Sequence, residues 1–406
     1  MTCNHKKHHR FKLVPLAASL VLSGCATFSQ DGGMESVSNL TEQRTGQAVT
    51  RPLTAQAASG NAERVSALLK QPLDPNTVVQ IALLNNRGLQ ASFAELGVAE
   101  ADYVQSGRMR NPGFSFQRLK SGDSLEIDRS VTFDLIGLLT LPLRSGIEQR
   151  RFEQAKLLAA STAVQLAADT RRAYFEAVAA RQTALYMEQV QGAAEATAEL
   201  AKRMARVGNW SKLEQAREQA FYADATTQVA RSKHNAVAAR EQLLQLLGLW
   251  GADTAITLPD RLPDLPKLPT EVVDLENQAM AQRLDLQVAK RDTEATAKGL
   301  GLTRATGFIN VLDAGYANKS QTGRPRENGY TVSLELPIFD WGSARTAKAE
   351  ALYMQAVART QDTAIRARSE VRQAYSAYRT SYDVARHYRD EVVPLRRKIS
   401  GEMQLR

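Results

Sequence analysis

The chain has 406 residues, a formal net charge of +9 and only 6% aromatic residues. Its high Ala content favours long, closely packed helices over a bulky globular core. The first 24 residues contain four basic residues and no acid, so 48 basic and 43 acidic residues remain beyond them. Because that nearly balanced charge is spread along predicted helices, it argues against a nucleic-acid-binding protein.

Residues 1–24 have the layout of a secretory signal peptide. The stretch "MTCNHKKHHRFK" is charged, and "LVPLAASLVL" is apolar but too short to span a bilayer. The following "LSGC", which ends at Cys25, resembles the bacterial lipobox, in which the chain is cut before an acylated cysteine. The alternative is an ordinary signal peptide with an incidental cysteine. The lipobox interpretation predicts a lipid anchor at Cys25, and Ala26 resembles the pattern of outer-membrane lipoproteins.

Residues 25–72 are small and polar with little periodicity, which predicts an extended, lipid-anchored tether. A helix is then expected from Asn76, which follows Asp74 and Pro75 and can cap the first turn. The helical pattern continues to about Gly107.

Two short alternating stretches follow, "GFSFQRL" and "VTFDL", joined by the polar "KSGDSLE". Val131 and Phe133 fall on one face, and Thr132 and Asp134 fall on the other. This pattern predicts a β-hairpin with one apolar and one polar face. A helical pattern then runs from Gly146 to residue 207, roughly 90 Å at 1.5 Å per residue.

"GNW" interrupts the helical pattern, which then returns as far as Gly248, and "LPDRLPDLPKLP" marks residues 249–270 as a proline-rich linker. Beyond it the chain repeats itself. "RGLQAS" is answered by "RLDLQVA", "LPLRSG" by "LPIFDWG" and "RRAYFEA" by "RQAYSAY", at offsets of about 195 to 201 residues. We therefore expect two copies of a helix, hairpin and long-helix unit, at residues 73–248 and 271–406.

Two hairpins supply four strands, and their alternation also suits a soluble sheet packed on helices. The lipobox favours a transmembrane interpretation. Four strands cannot close a barrel, and an open sheet edge is not tolerated in lipid, so two, three or four chains would give 8, 12 or 16 strands.

The duplicated layout resembles the TolC-like outer-membrane efflux protein family, in its lipoprotein branch. The stretches that carry the resemblance lie in order between residues 75 and 406: "ALLNNRGLQ", "RNPGFSF", "RRAY…RVGNW", "LLQLLG", "RLDLQVAKRD" and "LELPIFDWG". The resemblance implies a mainly α fold with a small β part, in which three chains share a 12-stranded transmembrane barrel continuous with a long α-helical periplasmic tunnel. It further implies the outer-membrane channel of a tripartite efflux system, a passive exit duct for drugs or metal ions.

Several site residues follow from the resemblance. Strand would become tunnel helix at two corners, one between Pro142 and Gly146 and one between Pro337 and Gly342. Polar strand positions would face the lumen, namely Thr132, Asp134, Ser333 and Glu335.

The turn "VGNWS" would form the tip of a helical hairpin and contact a periplasmic adaptor, which links the channel to an inner-membrane pump of the resistance–nodulation–division type. Ser211 followed by Glu214 forms a capping-box pattern. The alternative is that the turn only reverses the chain. The tip residues are Val207, Gly208, Asn209, Trp210 and Ser211.

The second repeat differs from the first. Tyr174 precedes Gly208 by 34 residues, so the equivalent Tyr375 predicts a second tip near position 409, beyond Arg406. The return helix of the second repeat is therefore expected to be missing from this chain.

An enzyme is the competing class, but the sequence contains no HExxH, GxSxG or P-loop motif and no cysteine–histidine ligand spacing. We expect no cofactor and no metal site. Two non-enzymatic alternatives stay open. A periplasmic adaptor lipoprotein would also combine a lipid anchor with a helical hairpin, and a structural coiled-coil lipoprotein would share the long helices.

Overall fold

The structure is a computed structural model that describes residues 27–52, 54–309 and 311–404. The predicted signal peptide and Cys25 lie outside the described residues. In chain order, the α-helices and β-strands are α1 (Met34–Thr45), α2 (Ala55–Leu68), α3 (Pro75–Asn85), α4 (Arg87–Ser106), β1 (Gly113–Ser121), β2 (Ser124–Asp134), α5 (Leu135–Arg206), α6 (Lys212–Leu247), α7 (Leu275–Gln282), α8 (Leu284–Ala305), β3 (Leu312–Gln321), β4 (Glu327–Leu334), α9 (Ser343–His387) and α10 (Val393–Gln404).

The chain forms two compact units. The sheet unit contains residues 95–158 and 279–368 together with the described residues up to Gly33. The helical unit contains residues 34–94 and 159–278 together with the described residues from Ser369 onward. Within the described part of the chain, no helix combines the length and the apolar character needed to cross a membrane.

In the helical unit, α3, α5 and α6 contribute to one apolar core. Ile81 and Leu247 are fully buried there, and Tyr174 is 4% exposed. The Tyr174 hydroxyl donates a 2.9 Å hydrogen bond to the Leu73 carbonyl. Burial raises the pKa of Tyr174, and the nearby carboxylate of Asp74 raises it further.

The segment predicted as an extended tether contains two helices, α1 and α2, so that prediction is wrong. Helix α1 buries Val37, Thr41 and Thr45 along one face. The Thr41 hydroxyl donates to the Val37 carbonyl at 2.8 Å, and the Thr45 hydroxyl donates to the Thr41 carbonyl at 2.9 Å. These hydrogen bonds satisfy the threonine hydroxyls, so the face can be buried although few of its residues are apolar. Thr54 caps α2 with its side chain.

The helix predicted from Asn76 to Gly107 is two helices. Asp74, and not Asn76, is the N-cap of α3, and its carboxylate accepts the Asn76 N–H at 2.7 Å. Pro75 occupies the first helical position, where its missing N–H costs nothing. The helical path is then interrupted at Asn86, whose extended ψ of 120° separates α3 from α4.

The backbone confirms the internal duplication. Asn86 separates α3 from α4 with φ −64° and ψ 120°, and Arg283 separates α7 from α8 with φ −64° and ψ 124°. Each residue donates its N–H at 2.9 Å to the carbonyl four residues before it, at Ala82 and Ala279. The order helix, break, helix, hairpin and long helix therefore occurs twice in the chain.

The sheet unit holds one four-stranded antiparallel sheet in the order β1-β2-β3-β4. Its strands are longer than predicted, because pairing continues to a tight turn at Gly122 and Asp123 in the first hairpin. Strands β1 and β4 form the two edges, and every residue on both is exposed. Two rows of backbone hydrogen-bonding groups are therefore open for pairing with further strands.

The two predicted corners have different outcomes. At the first corner, β2 ends at Asp134 and α5 begins at Leu135, so Pro142 and Gly146 lie inside a helix and their assignment as a corner is wrong. The apolar run after Asp134 is helical, and Pro142 lies inside this helix without ending it. At the second corner, residues 335–342 separate β4 from α9, as the sequence predicted for Pro337 to Gly342.

Candidate channel-forming site

The register of the sheet brings together three of the predicted polar strand residues. Asp134 lies opposite Asp313, which lies opposite Ser333. Thr132 lies two residues away along β2, opposite Gly315. Because directly paired residues point to the same face of a sheet, Thr132, Asp134 and Ser333 share one face. Glu335 follows β4 by one residue, and its N–H donates to the Val311 carbonyl at 3.3 Å.

We call this face the polar face. It carries five carboxylates and one ammonium group, and Lys319 forms an ion pair there with Glu126. Small residues lie between the charged ones. At Gly315, for example, a Cβ atom would lie only 2.7 Å from the Thr331 hydroxyl oxygen, which is too close for a larger residue. The remaining charged residues of the polar face are Asp128, Asp134, Asp313 and Glu327.

The opposite face, which we call the apolar face, is hydrophobic over most of its length. Tyr330 is 89% exposed, Val332 is 72% exposed and Phe114 is 69% exposed. Water-exposed apolar patches of this kind mark protein or membrane contacts. Further apolar side chains on this face belong to Phe116, Val131, Phe133, Leu312, Ala314, Tyr316 and Leu334.

Asp134 has a second role that the sequence did not indicate. Its carboxylate accepts the Gly137 N–H at 2.6 Å and so caps the first turn of α5. The Arg110 guanidinium lies 3.8 Å from the same carboxylate. Because Asp134 faces Asp313 across the strand pair, this cation and the cap offset repulsion between the two carboxylates.

The second corner is fixed by a turn at Gly342. This residue has φ +76°, and a side chain there would lie 2.9 Å from the Gly307 carbonyl oxygen. The Gly342 N–H donates to the Asp340 carboxylate at 2.8 Å. Next to the turn, the rings of Phe308 and Trp341 meet edge to face, 5.4 Å apart. Exposed aromatic residues at the base of an apolar strand band are typical of a membrane interface.

The predicted hairpin tip lies between α5 and α6. Gly208 has φ +80°. Its N–H bonds to the Ala205 carbonyl at 3.2 Å, and the Asn209 N–H bonds to the Met204 carbonyl at 3.0 Å. This pair of bonds is a Schellman motif, which ends a helix at a left-handed glycine. Val207 is 70% exposed and Trp210 is half-buried.

The capping box predicted for the returning helix is confirmed. The Ser211 hydroxyl accepts the Glu214 N–H at 3.2 Å, and the Glu214 carboxylate accepts the Ser211 N–H at 2.7 Å. This hydrogen bond from the Ser211 backbone is the main cause that lowers the pKa of Glu214. Since the tip is fixed by hydrogen bonds from both helices, it has a defined shape.

A contact near the N-terminus was not expected from the sequence. Ser29 donates two hydrogen bonds to the Glu100 carboxylate, from its N–H at 2.7 Å and from its hydroxyl at 2.5 Å. Glu100 is only 6% exposed. The position of this acidic residue within the predicted helix gave no signal of this role. The contact attaches the start of the described chain to α4.

No group of three or more potential metal-ligating side chains occurs among the described residues. Comparison with known proteins adds the decisive observation. Residues 275–400 match the family model described as "Outer membrane efflux protein". This segment is an outer membrane efflux protein domain. A search of curated proteins finds no match.

The chain is similar in fold to solved structures of outer-membrane proteins. The CmeC outer membrane channel of Campylobacter jejuni has a TM-score of 0.65 at 16% identity, over 91% of this chain and 82% of its own. The VceC outer membrane protein of Vibrio cholerae has a TM-score of 0.60 at 16% identity, over 75% and 79%. The MtrE outer membrane channel of Neisseria gonorrhoeae has a TM-score of 0.53 at 17% identity, over 81% and 76%.

These matches confirm the TolC-like resemblance and the fold class, a mainly helical chain with a small four-stranded sheet. They also confirm that the protein is not an enzyme, since the family and the matched structures are channels.

Proposed function

We propose that the chain is the outer-membrane channel of a tripartite efflux system, through which small toxic compounds, drugs or metal ions, leave the cell passively. The observation that carries the proposal is the four-stranded sheet with an exposed apolar face, a charged polar face and two open edges. An apolar outer face with a polar inner face is the arrangement of transmembrane β-barrels. The efflux-protein domain at residues 275–400 supports the same function.

Three copies of the chain would close the barrel. Four strands are too few to enclose a lumen, and lipid does not tolerate unpaired strand edges. Edge strand β1 of one copy would pair with edge strand β4 of the next, and three copies would give about 12 strands, an allowed even number. In this homotrimer the polar-face residues, including Thr132, Asp134 and Ser333, would line the lumen, together with Glu335 just beyond the end of β4.

The hairpin tip, residues 207–211, would contact a periplasmic adaptor, which would join the channel to an inner-membrane pump. Two features support this proposal. The tip is rigid, because a Schellman motif and a capping box fix its ends. It also exposes apolar surface at Val207 and at Leu213, which is 61% exposed. An exposed apolar side chain on a rigid turn is a suitable anchor for a partner groove.

We further propose that Cys25 is acylated and anchors each chain in the outer membrane, beside the barrel. The motif "LSGC" after a charged and then apolar segment supports this proposal. Radiolabelled palmitate should enter the wild-type protein and should not enter a Cys25→Ser variant. Equal labelling of both proteins would contradict acylation at this cysteine.

Single-channel recording tests the central proposal. The purified protein, added to a planar phospholipid bilayer, should give stepwise conductance increases, and chemical cross-linking in detergent should give a trimer. Thr331→Arg would place three cations in the lumen and should reduce the conductance to cations. A protein that enters bilayers without conducting, or that stays in solution without detergent, would contradict the channel.

Transport by cells gives an independent test of the partners. In a strain that lacks its own outer-membrane efflux channel, the protein together with its cognate adaptor and pump should lower the accumulation of a fluorescent dye. Gly208→Pro should abolish this effect, because proline cannot adopt φ +80°. Full export by that variant would show that the tip shape is not required.

A further inference from the structure

The apolar face of the sheet changes character at the end where the hairpins turn. On the last rows of β1 and β2, three basic residues replace the apolar side chains. Arg118 lies opposite Ile127, Lys120 lies opposite Leu125, and Arg129 lies opposite Phe116 and Asn318. We call Arg118, Lys120 and Arg129 the distal basic patch.

The contacts of Arg129 support its position on this face. Its guanidinium donates a 3.2 Å hydrogen bond to the Asn318 side chain, which in turn donates a 2.7 Å bond to the Asn328 side chain. Arg118 and Lys120 are exposed, and among the described residues neither forms an ion pair or a side-chain hydrogen bond. Two of the three cations are therefore free for an external anion.

The carboxylates of the four strands all lie on the other face. Glu126, Asp128 and Glu327 belong to the polar face, and Glu126 already binds Lys319. Beyond the strands, the adjoining turn between β1 and β2 contributes one acid, Asp123. Since the apolar face carries cations and no carboxylate, its distal end attracts anions that the polar face repels.

The height of the patch matches the far boundary of a membrane. Leu125 lies opposite Lys120 in the most distal row of the patch. Ten residues separate Leu312, at the start of β3, from Thr322, whose N–H donates to the Leu125 carbonyl. At about 3.4 Å per residue this is roughly 34 Å along the strand, and a barrel tilt of about 40° reduces it to roughly 26 Å. The outward apolar band of such barrels is about 25 Å tall. Because the aromatic pair of Phe308 and Trp341 lies at the other end, the patch would reach the outer headgroup layer.

We propose that the distal basic patch binds the phosphate groups of the outer-leaflet glycolipid, lipopolysaccharide. The inference rests on the proposed membrane insertion of the barrel. Guanidinium groups bind phosphate oxygens through paired N–H donors, and an ammonium adds a mobile charge. A trimer would carry three such patches around its rim. The neighbouring apolar residues, Phe116 and Ile127, would contact acyl chains below the phosphates.

A binding experiment with defined lipids tests the proposal. The purified full chain in detergent is titrated with diphosphorylated lipid A, with the same lipid after enzymatic removal of its phosphates, and with inorganic phosphate alone. Wild-type protein should bind diphosphorylated lipid A at least tenfold more tightly than the dephosphorylated lipid. Inorganic phosphate should not compete at millimolar concentration, because the acyl contacts belong to the lipid.

Charge-neutralising variants locate the site. The triple variant R118Q, K120Q and R129Q should weaken binding of diphosphorylated lipid A about tenfold or more, and R118Q alone should weaken it less. K319Q removes one cation from the polar face of a strand in the same sheet and is the matched control, for which affinity should not change. Equal weakening by K319Q and R118Q, or unchanged affinity of the triple variant, would overturn the proposal.

Two further measurements keep the outcomes distinct. Thermal unfolding of each variant in detergent shows whether the fold survives, and the triple variant should unfold within a few degrees of wild type. Planar-bilayer conductance of the wild type reports on the channel itself. A conducting channel with unchanged lipid A affinity in the triple variant refutes only this inference, whereas a protein that never enters bilayers refutes both.

Discussion

Replacing Val332 with arginine tests which face of the sheet contacts lipid. Val332 lies on the middle one of three apolar rows, two residues from Tyr330 and two residues from Leu334 along β4. Each row is about 7 Å from the next along the strand. The new guanidinium would therefore lie inside the apolar band, one row from the end formed by Leu334 and Leu312.

The expected cost follows from this depth. Arginine on the lipid side of a transmembrane barrel costs roughly 2–4 kcal/mol near the bilayer midplane and roughly 0–1 kcal/mol near the interfaces, so we expect about 1–3 kcal/mol one row inside the band. At about 1.4 kcal/mol per factor of ten, the folding equilibrium of each chain should fall roughly 5- to 140-fold. Val332 is 72% exposed within the chain, so a clash inside the protomer does not add to this figure.

Thr331→Arg is the matched control, because Thr331 is the adjacent residue, has nearly the same shape as Val332 and lies on the polar face opposite Gly315. Its arginine would extend over a glycine toward the lumen, and we expect a cost below about 1 kcal/mol. The free energy is measured by urea titration of protein folded into phospholipid vesicles. Equal losses for the two variants, or a larger loss for Thr331→Arg, would refute the assignment of the faces.

Three further predictions concern single contacts. Tyr174→Phe should lower the free energy of unfolding by about 1–2 kcal/mol, because the buried Leu73 carbonyl loses its donor, and a shift of the thermal midpoint checks this. The pKa of Asp74 is lowered, chiefly by a hydrogen bond from a backbone N–H. Its charge therefore stabilises the fold above a pH of about 4, and this stabilisation is lost as the pH falls through the lowered pKa. The difference in thermal midpoint between wild type and Asp74→Asn should therefore be present at pH 6 and shrink below pH 4, and a constant difference would contradict it. Gly342→Ala should cost about 1–3 kcal/mol, since φ is +76° and the new Cβ would approach the Gly307 carbonyl, whereas Gly192→Ala, within a helix and without a close neighbour, should not destabilise.

The sequence predicted the sheet well because its two faces differ in chemistry. Val131 and Phe133 alternate with Thr132 and Asp134, and this period of two is unambiguous in a strand that has an apolar side and a polar side. The loop boundaries were less accurate. Near the hairpin turns, polar residues lie on both faces of the sheet, as Lys120 and Lys319 do. The alternation of hydrophobicity in the sequence therefore ends before the backbone pairing ends.

The tether was mispredicted because α1 hides its periodicity. Thr41 and Thr45 are buried on the same side as Val37, but a threonine counts as polar in a sequence pattern. Only the structure shows that their hydroxyls bond to the preceding turn of the helix and that both side chains are buried. The contact of Ser29 with Glu100 was equally hidden, since it joins residues 71 positions apart.

The first corner was mispredicted because "LPLRSG" and "LPIFDWG" are equivalent in the repeat but differ in backbone conformation. In the second copy, Gly342 adopts a left-handed conformation and ends the turn. Gly146 has no positive φ, and the cap by Asp134 starts the helix earlier, at Leu135. Equivalent sequence positions thus support different backbone paths, because a helix start depends on the capping residue before it and not on the proline inside it.

The contact of Ser29 with Glu100 limits where a lipid on Cys25 could act. Four residues of chain extend at most about 14 Å, so an acylated cysteine could lie no farther than that from Ser29. Glu100 itself lies six residues, or roughly 9 Å, before the end of α4. The acyl chains and the barrel would therefore enter the same stretch of membrane at a matched depth. Lengthening the segment between residues 26 and 28 would remove that match while leaving both the acylation site and the strands intact.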